Sequence, residues 1–86
     1  MSDYAVTFAR TAEKELAGLA PTILTRVLSR IEALAREPRP AGCLKLKGER
    51  HLWRIRIGDY RVVYAVFDER RIVDIVAVRH RSDVYR

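Results

Sequence analysis

An 86-residue chain is long enough for one domain with a thin core, read here as a single unit spanning 1–86. Its 49% hydrophobic content excludes wholesale disorder, and no apolar run approaches the ~20 residues of a membrane span. The net charge of +6 is uneven: residues 1–43 hold six Lys/Arg and five Asp/Glu, and residues 44–86 hold eleven and six. That basic second half points to a polyanion partner, either nucleic acid or an acidic protein segment. Cys43 is the only cysteine, which excludes an internal disulfide and any metal site built on cysteine pairs. The start, Met1-Ser2-Asp3-Tyr4, carries no secretion signal, so a cytoplasmic location is expected.

Tyr4-Ala5-Val6-Thr7-Phe8 alternates and is rich in strand formers, which predicts a short first strand. A helix is expected from Thr11 as N-cap, with Glu13 and Glu15 in its first turn where the dipole favours them. Ala12, Leu16 and Leu19 form its apolar stripe, and Gly18 weakens its end. Pro21 suits the start of a second helix running to about Arg36. There Ile23, Val27, Ile31 and Leu34 recur at helical spacing, and Pro38 and Pro40 stop the helix.

Leu44-Lys45-Leu46-Lys47 reads as a short extended piece, followed by a strand from His51 to Ile57. Gly58-Asp59 is a two-residue hairpin turn, with glycine supplying positive φ at its first position. Tyr60 to Phe67 returns, Asp68-Glu69-Arg70-Arg71 turns again, and Ile72 to Val78 closes the pattern. The order is strand, two helices, then three strands joined by short turns. It predicts an α+β fold with both helices packed on one face of a four-stranded antiparallel sheet. The other face is left open. On it, alternation in Arg54-Ile55-Arg56-Ile57 presents two arginines while the isoleucines turn to the core. Fixed guanidinium groups of this kind suit a phosphate backbone.

The element order, together with Lys45-Leu46-Lys47-Gly48, Leu52-Trp53-Arg54-Ile55-Arg56, Gly58-Asp59-Tyr60-Arg61-Val62-Val63-Tyr64 and His80-Arg81-Ser82-Asp83-Val84-Tyr85-Arg86, resembles the RelE/ParE superfamily of type II toxin–antitoxin toxins. The resemblance spans essentially the whole chain, and the Gly-Asp-Tyr-Arg turn and terminal His-Arg-x-Asp-Val-Tyr look like its RelE branch. It implies a metal-independent, cofactor-free endoribonuclease that cuts mRNA in the ribosomal A site. It also implies an acidic antitoxin that wraps over the toxin. In this chemistry the ribose 2′-hydroxyl attacks the adjacent phosphate and the 5′-oxygen leaves. It needs a proton acceptor, cations for the pentavalent phosphorane and an acid.

Arg61 matches the family's central arginine and is expected to stabilise transition-state charge; the competing reading is a cross-strand ion pair with Asp59 or Asp74. Arg54 and Arg56 match positions often held by lysine. Arginine stays protonated, so these two are expected to hold RNA rather than to act as a base. Arg79 matches the leaving-group arginine and Arg81 the arginine of the His-Arg pattern; sequence does not choose between them. His80 is a possible acid or base, although alternation sets it opposite both arginines. Tyr85 matches the terminal tyrosine, which would stack on a base or take the 2′ proton. Lys45 and Lys47 are expected to contact RNA phosphate, and Trp53, Tyr60 and Tyr64 to be core. Three other functions compete: a ParE-like gyrase inhibitor, a non-catalytic RNA- or ribosome-binding module, and a degenerate toxin kept for its antitoxin.

Overall fold

The computed structural model describes residues 3–84. In chain order it forms β1 (Ala5–Phe8), α1 (Arg10–Ala17), α2 (Pro21–Ala33), β2 (Leu44–Lys45), β3 (Leu52–Ile57), β4 (Tyr60–Phe67), β5 (Ile72–His80) and a four-residue α3 (Arg81–Val84). The strands make one sheet in the order β1-β5-β4-β3-β2. The expected α+β class and the antiparallel β3–β4–β5 meander are present. Two details differ. The sheet has five strands, because Leu44–Lys45 pairs with β3, and it is mixed, because β1 runs parallel to β5. Four alternating residues assign faces to a first strand but do not set its direction. The helices that follow β1 allow the crossover that a parallel neighbour requires.

Helix boundaries also shift. α1 is capped by Ala9 in extended backbone with no side-chain bond, so Thr11 lies inside the helix and only Glu13 falls in the first turn. α2 begins at Pro21 as expected but ends at Ala33. Three-residue bonds from Leu34, Ala35 and Arg36 tighten the chain beyond it. The core lies between helices and sheet. Ala12, Leu16, Val27, Ile31 and Leu34 meet Ile55, Ile57, Val62, Tyr64, Val66, Val73, Ile75 and Val78. Each fully buried aliphatic side chain contributes roughly 1.5–3 kcal/mol.

Register follows from the turns. Ile57 faces Tyr60 across Gly58-Asp59, and Gly58 adopts φ 60. Positive φ at the first central position suits the right-handed twist of the flanking strands. Between β4 and β5 the pairing steps from Tyr64↔Ile75 to Val63↔Ala77, leaving Val76 as an extra residue. This bulge reverses the alternation of β5. Val73 and Ile75 are core before it, and Val78 is core after it. Without the reversal, Arg79 would point into the core in step with Ile75.

Polar contacts secure the end of the sheet away from the Gly58-Asp59 turn. The buried Tyr64 hydroxyl donates to the Pro38 carbonyl at 2.7 Å, fixing the loop after α2. Burial, with Cys43 beside it, pushes the Tyr64 phenol up, so it remains a donor. Arg39 donates to both Asp68 carboxylate oxygens at 3.2 and 2.7 Å, and the Tyr4 hydroxyl donates to the same carboxylate at 2.6 Å. These partners, Arg39 foremost, hold the Asp68 carboxyl down at about 2.

Replacing Tyr64 by Phe strands the Pro38 carbonyl and is expected to cost about 1–2 kcal/mol. Thermal denaturation would read this as a loss of roughly 5–10 °C in Tm; an unchanged Tm would remove this bond from the fold's support. The Asp68 contribution is small, because the group is at the surface, and it depends on pH. A lowered folded-state value means the stabilisation is complete above the ordinary carboxylate range, near ~4, and disappears as pH falls through about 2. Urea midpoints of wild type and Asp68→Asn should therefore differ at about pH 6 and converge near about pH 2. A constant gap would contradict this assignment.

Candidate functional site

Residues directly opposite across an antiparallel pair share a face, with Cβ atoms about 4.5–5.5 Å apart. Arg56 lies opposite Arg61, and Arg61 lies opposite Arg79. Three strands thus deliver three arginines to one row on the face turned away from the helices. Their neighbours Ile55, Ile57, Val62 and Val78 are buried on the other face. Arg61 is central and half-buried, with its Nε enclosed, while Arg56 and Arg79 are exposed. Arg54 shares this face one pair further along, opposite Val63, and is half-buried. The row is a fixed cationic strip without an acid or a base among its own members.

The other expected site residues are dispersed. β5 continues to His80, and Arg81 opens α3 with its backbone N–H donated to the Asp59 carbonyl at 2.7 Å. Strand alternation therefore does not set the direction of Arg81, whereas Arg79 is placed beside Arg61 by register. His80 pairs with Tyr60 and shares its side of the sheet, the side of Ile57. The Tyr60 and His80 rings meet edge to face at 5.1 Å. The Ser82 backbone N–H donates to His80 Nδ1 at 3.1 Å. Tyr85 lies outside the described residues.

Lys45 pairs with Trp53 and so lies on the helix side, away from the arginine row. Its Nζ donates to the Glu49 and Arg50 carbonyls at 2.7 and 3.1 Å and stands 5.9 Å from the Trp53 ring centroid. Arg39 covers the same ring at 5.0 Å. Both belong to a cleft of about 740 Å³ at the Asp68 end of the sheet. Lys47 is exposed in the turn after β2. Trp53 and Tyr60 are partly buried against the core and Tyr64 fully so, as expected of packing residues.

A helix residue also reaches the row. Glu15, which its place in the sequence marks only for helix electrostatics, accepts the Val78 backbone N–H at 2.7 Å and the Arg79 Nε–H through its carboxylate. The helical stripe containing Ala12 and Leu16 marks the face of α1 that meets the sheet. It does not identify the strand residue that Glu15 reaches. The ion pairs described are Arg79–Glu15 and Arg39–Asp68, while the Asp74 carboxylate accepts the Thr7 hydroxyl at 2.6 Å.

Among the described residues, no helix is long and apolar enough to cross a membrane. Residues 6–85 match a family model described as the ParE toxin of type II toxin–antitoxin system, parDE. Toxin RelG of Mycobacterium tuberculosis is 37% identical over 84 residues, covering 96% of this chain and 97% of the relative. The toxin–antitoxin complex RelBE2 of the same organism contains a chain that superposes with a TM-score of 0.82 at 36% identity, covering 96% of this chain and 97% of that one. The isolated E. coli RelE toxin gives 0.80 at 30% identity, covering 95% and 90%.

Aligned like charges oppose folding, so the row should cost stability in the absence of a ligand. Replacing Arg56 by Thr, a good strand former, is expected to raise Tm by a few degrees at low ionic strength. The gain should shrink in roughly 1 M salt, where the screening length falls to about 3 Å. A drop in Tm under both conditions would show that Arg56 supports the fold rather than a ligand.

Proposed function

This chain belongs to the ParE toxin family of type II toxin–antitoxin systems, on the RelE side of the RelE/ParE superfamily, and from that premise we propose that it is a ribosome-dependent mRNA endonuclease. The observation that carries the proposal is the Arg56–Arg61–Arg79 row, three guanidinium groups held on one open face by strand register. A gyrase inhibitor has no evident need of such a strip, whereas phosphoryl chemistry does.

The mRNA phosphate at the cut lies over Arg61. The 2′-oxygen forms a bond to phosphorus, the bond from phosphorus to the 5′-oxygen breaks, and negative charge builds on the non-bridging oxygens between these events. Arg61, enclosed along its stem and flanked by two further cations, stabilises that charge through paired N–H donors. Arg79 lies on the leaving-group side and Arg56, with Arg54, holds the strand. Arg81 contacts the message from the start of α3, and Lys47 adds peripheral attraction that weakens as salt rises. We assign the 2′ proton to Tyr85, because the arginines of the row stay protonated and His80 lies on the helix side, and the departing 5′-oxygen takes its proton from water. Lys45 takes a structural part beside Trp53.

Neutralisation comes from a cognate antitoxin, and an acidic segment suits the +5 carried by residues 44–86. The solved relative RelBE2 is such a toxin–antitoxin pair. A substrate held on the ribosome places the activity in the cytoplasm.

The test is cleavage of a message on programmed ribosomes with an empty A site, with ends mapped by primer extension. Wild type should cut within the A-site codon. Arg61→Ala should lose about 10²–10³ in rate, the scale of removing one charge-stabilising donor. Tyr85→Phe should slow the cut with little change in ribosome binding. An intact message despite growth arrest on expression would overturn the nuclease proposal and favour gyrase.

A further inference from the structure

We propose that Glu15 is a positioning residue that sets the Arg79 guanidinium in the arginine row. The proposal rests on the nuclease reading and extends it to a residue on a helix. β1 covers only the first part of β5: Ala5 to Phe8 pair with Ile72 to Ile75, and the strand continues five residues further. The backbone of that extension lies at an open edge, where an unpaired N–H is costly and invites another strand. α1 follows directly after β1 and runs beside this segment. Glu15 fills the edge: Oε1 accepts the Val78 N–H at 2.7 Å, and Oε2 accepts the Arg79 Nε–H.

One carboxylate thus binds two consecutive residues of β5, one through backbone and one through side chain. That double hold fixes both the direction of the strand and the plane of the guanidinium. Nε is one of five donors on the group, so the Nη edge keeps the geometry needed for an oxyanion. The carboxylate also offsets repulsion at one end of the row, where Arg79 faces Arg61. The Arg79 side chain is 46% exposed, so packing alone would leave its rotamers open. A long cationic side chain gains most from an anchor when it must act in a single geometry.

Glu15→Gln preserves size and an acceptor for Val78, but it sets an amide NH2, a donor only, against the Arg79 Nε–H. The expected result is a roughly tenfold to hundredfold fall in single-turnover cleavage on ribosomes, with half-saturating concentration nearly unchanged. The discriminating measurement is the cycle with Arg79→Ala. If Glu15 acts through Arg79, the double variant should cut no more slowly than Arg79→Ala alone. If Glu15 only supports the fold, the two losses multiply, and the proposal is overturned. A Glu15→Gln protein that cuts at the wild-type rate overturns it as well. In both of those cases wild type still cuts and the nuclease reading stands. Wild type that leaves the message intact overturns the nuclease reading and, with it, this role for Glu15.

Discussion

The register of β4 between its two antiparallel neighbours is the constraint on which the rest of the molecule depends. Its alternation sends Val62, Tyr64 and Val66 to the core and Arg61 to the open face. A slip of one residue would exchange these sets and bury a guanidinium, at a cost of several kcal/mol if unpaired. Two devices guard against the slip. On one side, Gly58 closes a two-residue turn that admits a single pairing. On the other, the extra residue Val76 restores phase in β5 so that both Val78 and Arg79 find their proper faces. The same pairings that assemble the core therefore assemble the arginine row, and a change of register disrupts both.

The sheet divides its work along its length. Toward the Gly58-Asp59 turn, like charges are set side by side, an arrangement that opposes folding. Toward the other end, Tyr64, Pro38, Arg39, Asp68 and Tyr4 form satisfied polar contacts that hold the loop after α2 and the first strand against the meander. A domain of this size has a narrow stability margin. It can hold an unfavourable charge pattern at one end because hydrophobic burial across the whole sheet supports it. Glu15 extends this support toward the charged end from the helix layer.

Fold class, helix faces and the central meander were legible in the sequence because they follow from local periodicity. The Arg54-Ile55-Arg56-Ile57 alternation and the Gly58-Asp59 turn were sufficient to align Arg56 with Arg61. Features that depend on distant neighbours were not legible. The direction of β1 comes from its partner and not from its four residues. The bulge at Val76 leaves no composition signal, since Ile75-Val76-Ala77-Val78 is apolar throughout. The end of β5 at His80 separated Arg79 from Arg81, which uniform alternation had kept together. Alternation around Leu46 groups Lys45 with Lys47 among the RNA-facing charges, but its partner Trp53 puts Lys45 on the helix side. Glu15 could be found only once a helix and a strand edge had been placed side by side.

An arginine-only row also changes how the proposed chemistry is shared among residues. Where a lysine occupies such a position, nearby positive charge favours its neutral form, and it can then remove a proton. Arginine binds anions well and resists deprotonation, so Arg54 and Arg56 add electrostatic stabilisation without adding a base. Proton transfer must then come from a group outside the row. His80 is turned to the helix side by the same parity that brings Arg79 outward, so one strand cannot supply both from adjacent positions. On the proposed chemistry, the burden falls on the segment after α3. The bond from the Arg81 N–H to the Asp59 carbonyl ties the start of α3 to the hairpin that carries Arg61. On that chemistry, a ligand that engaged Tyr85 would remove the proton acceptor while leaving the cationic strip in place.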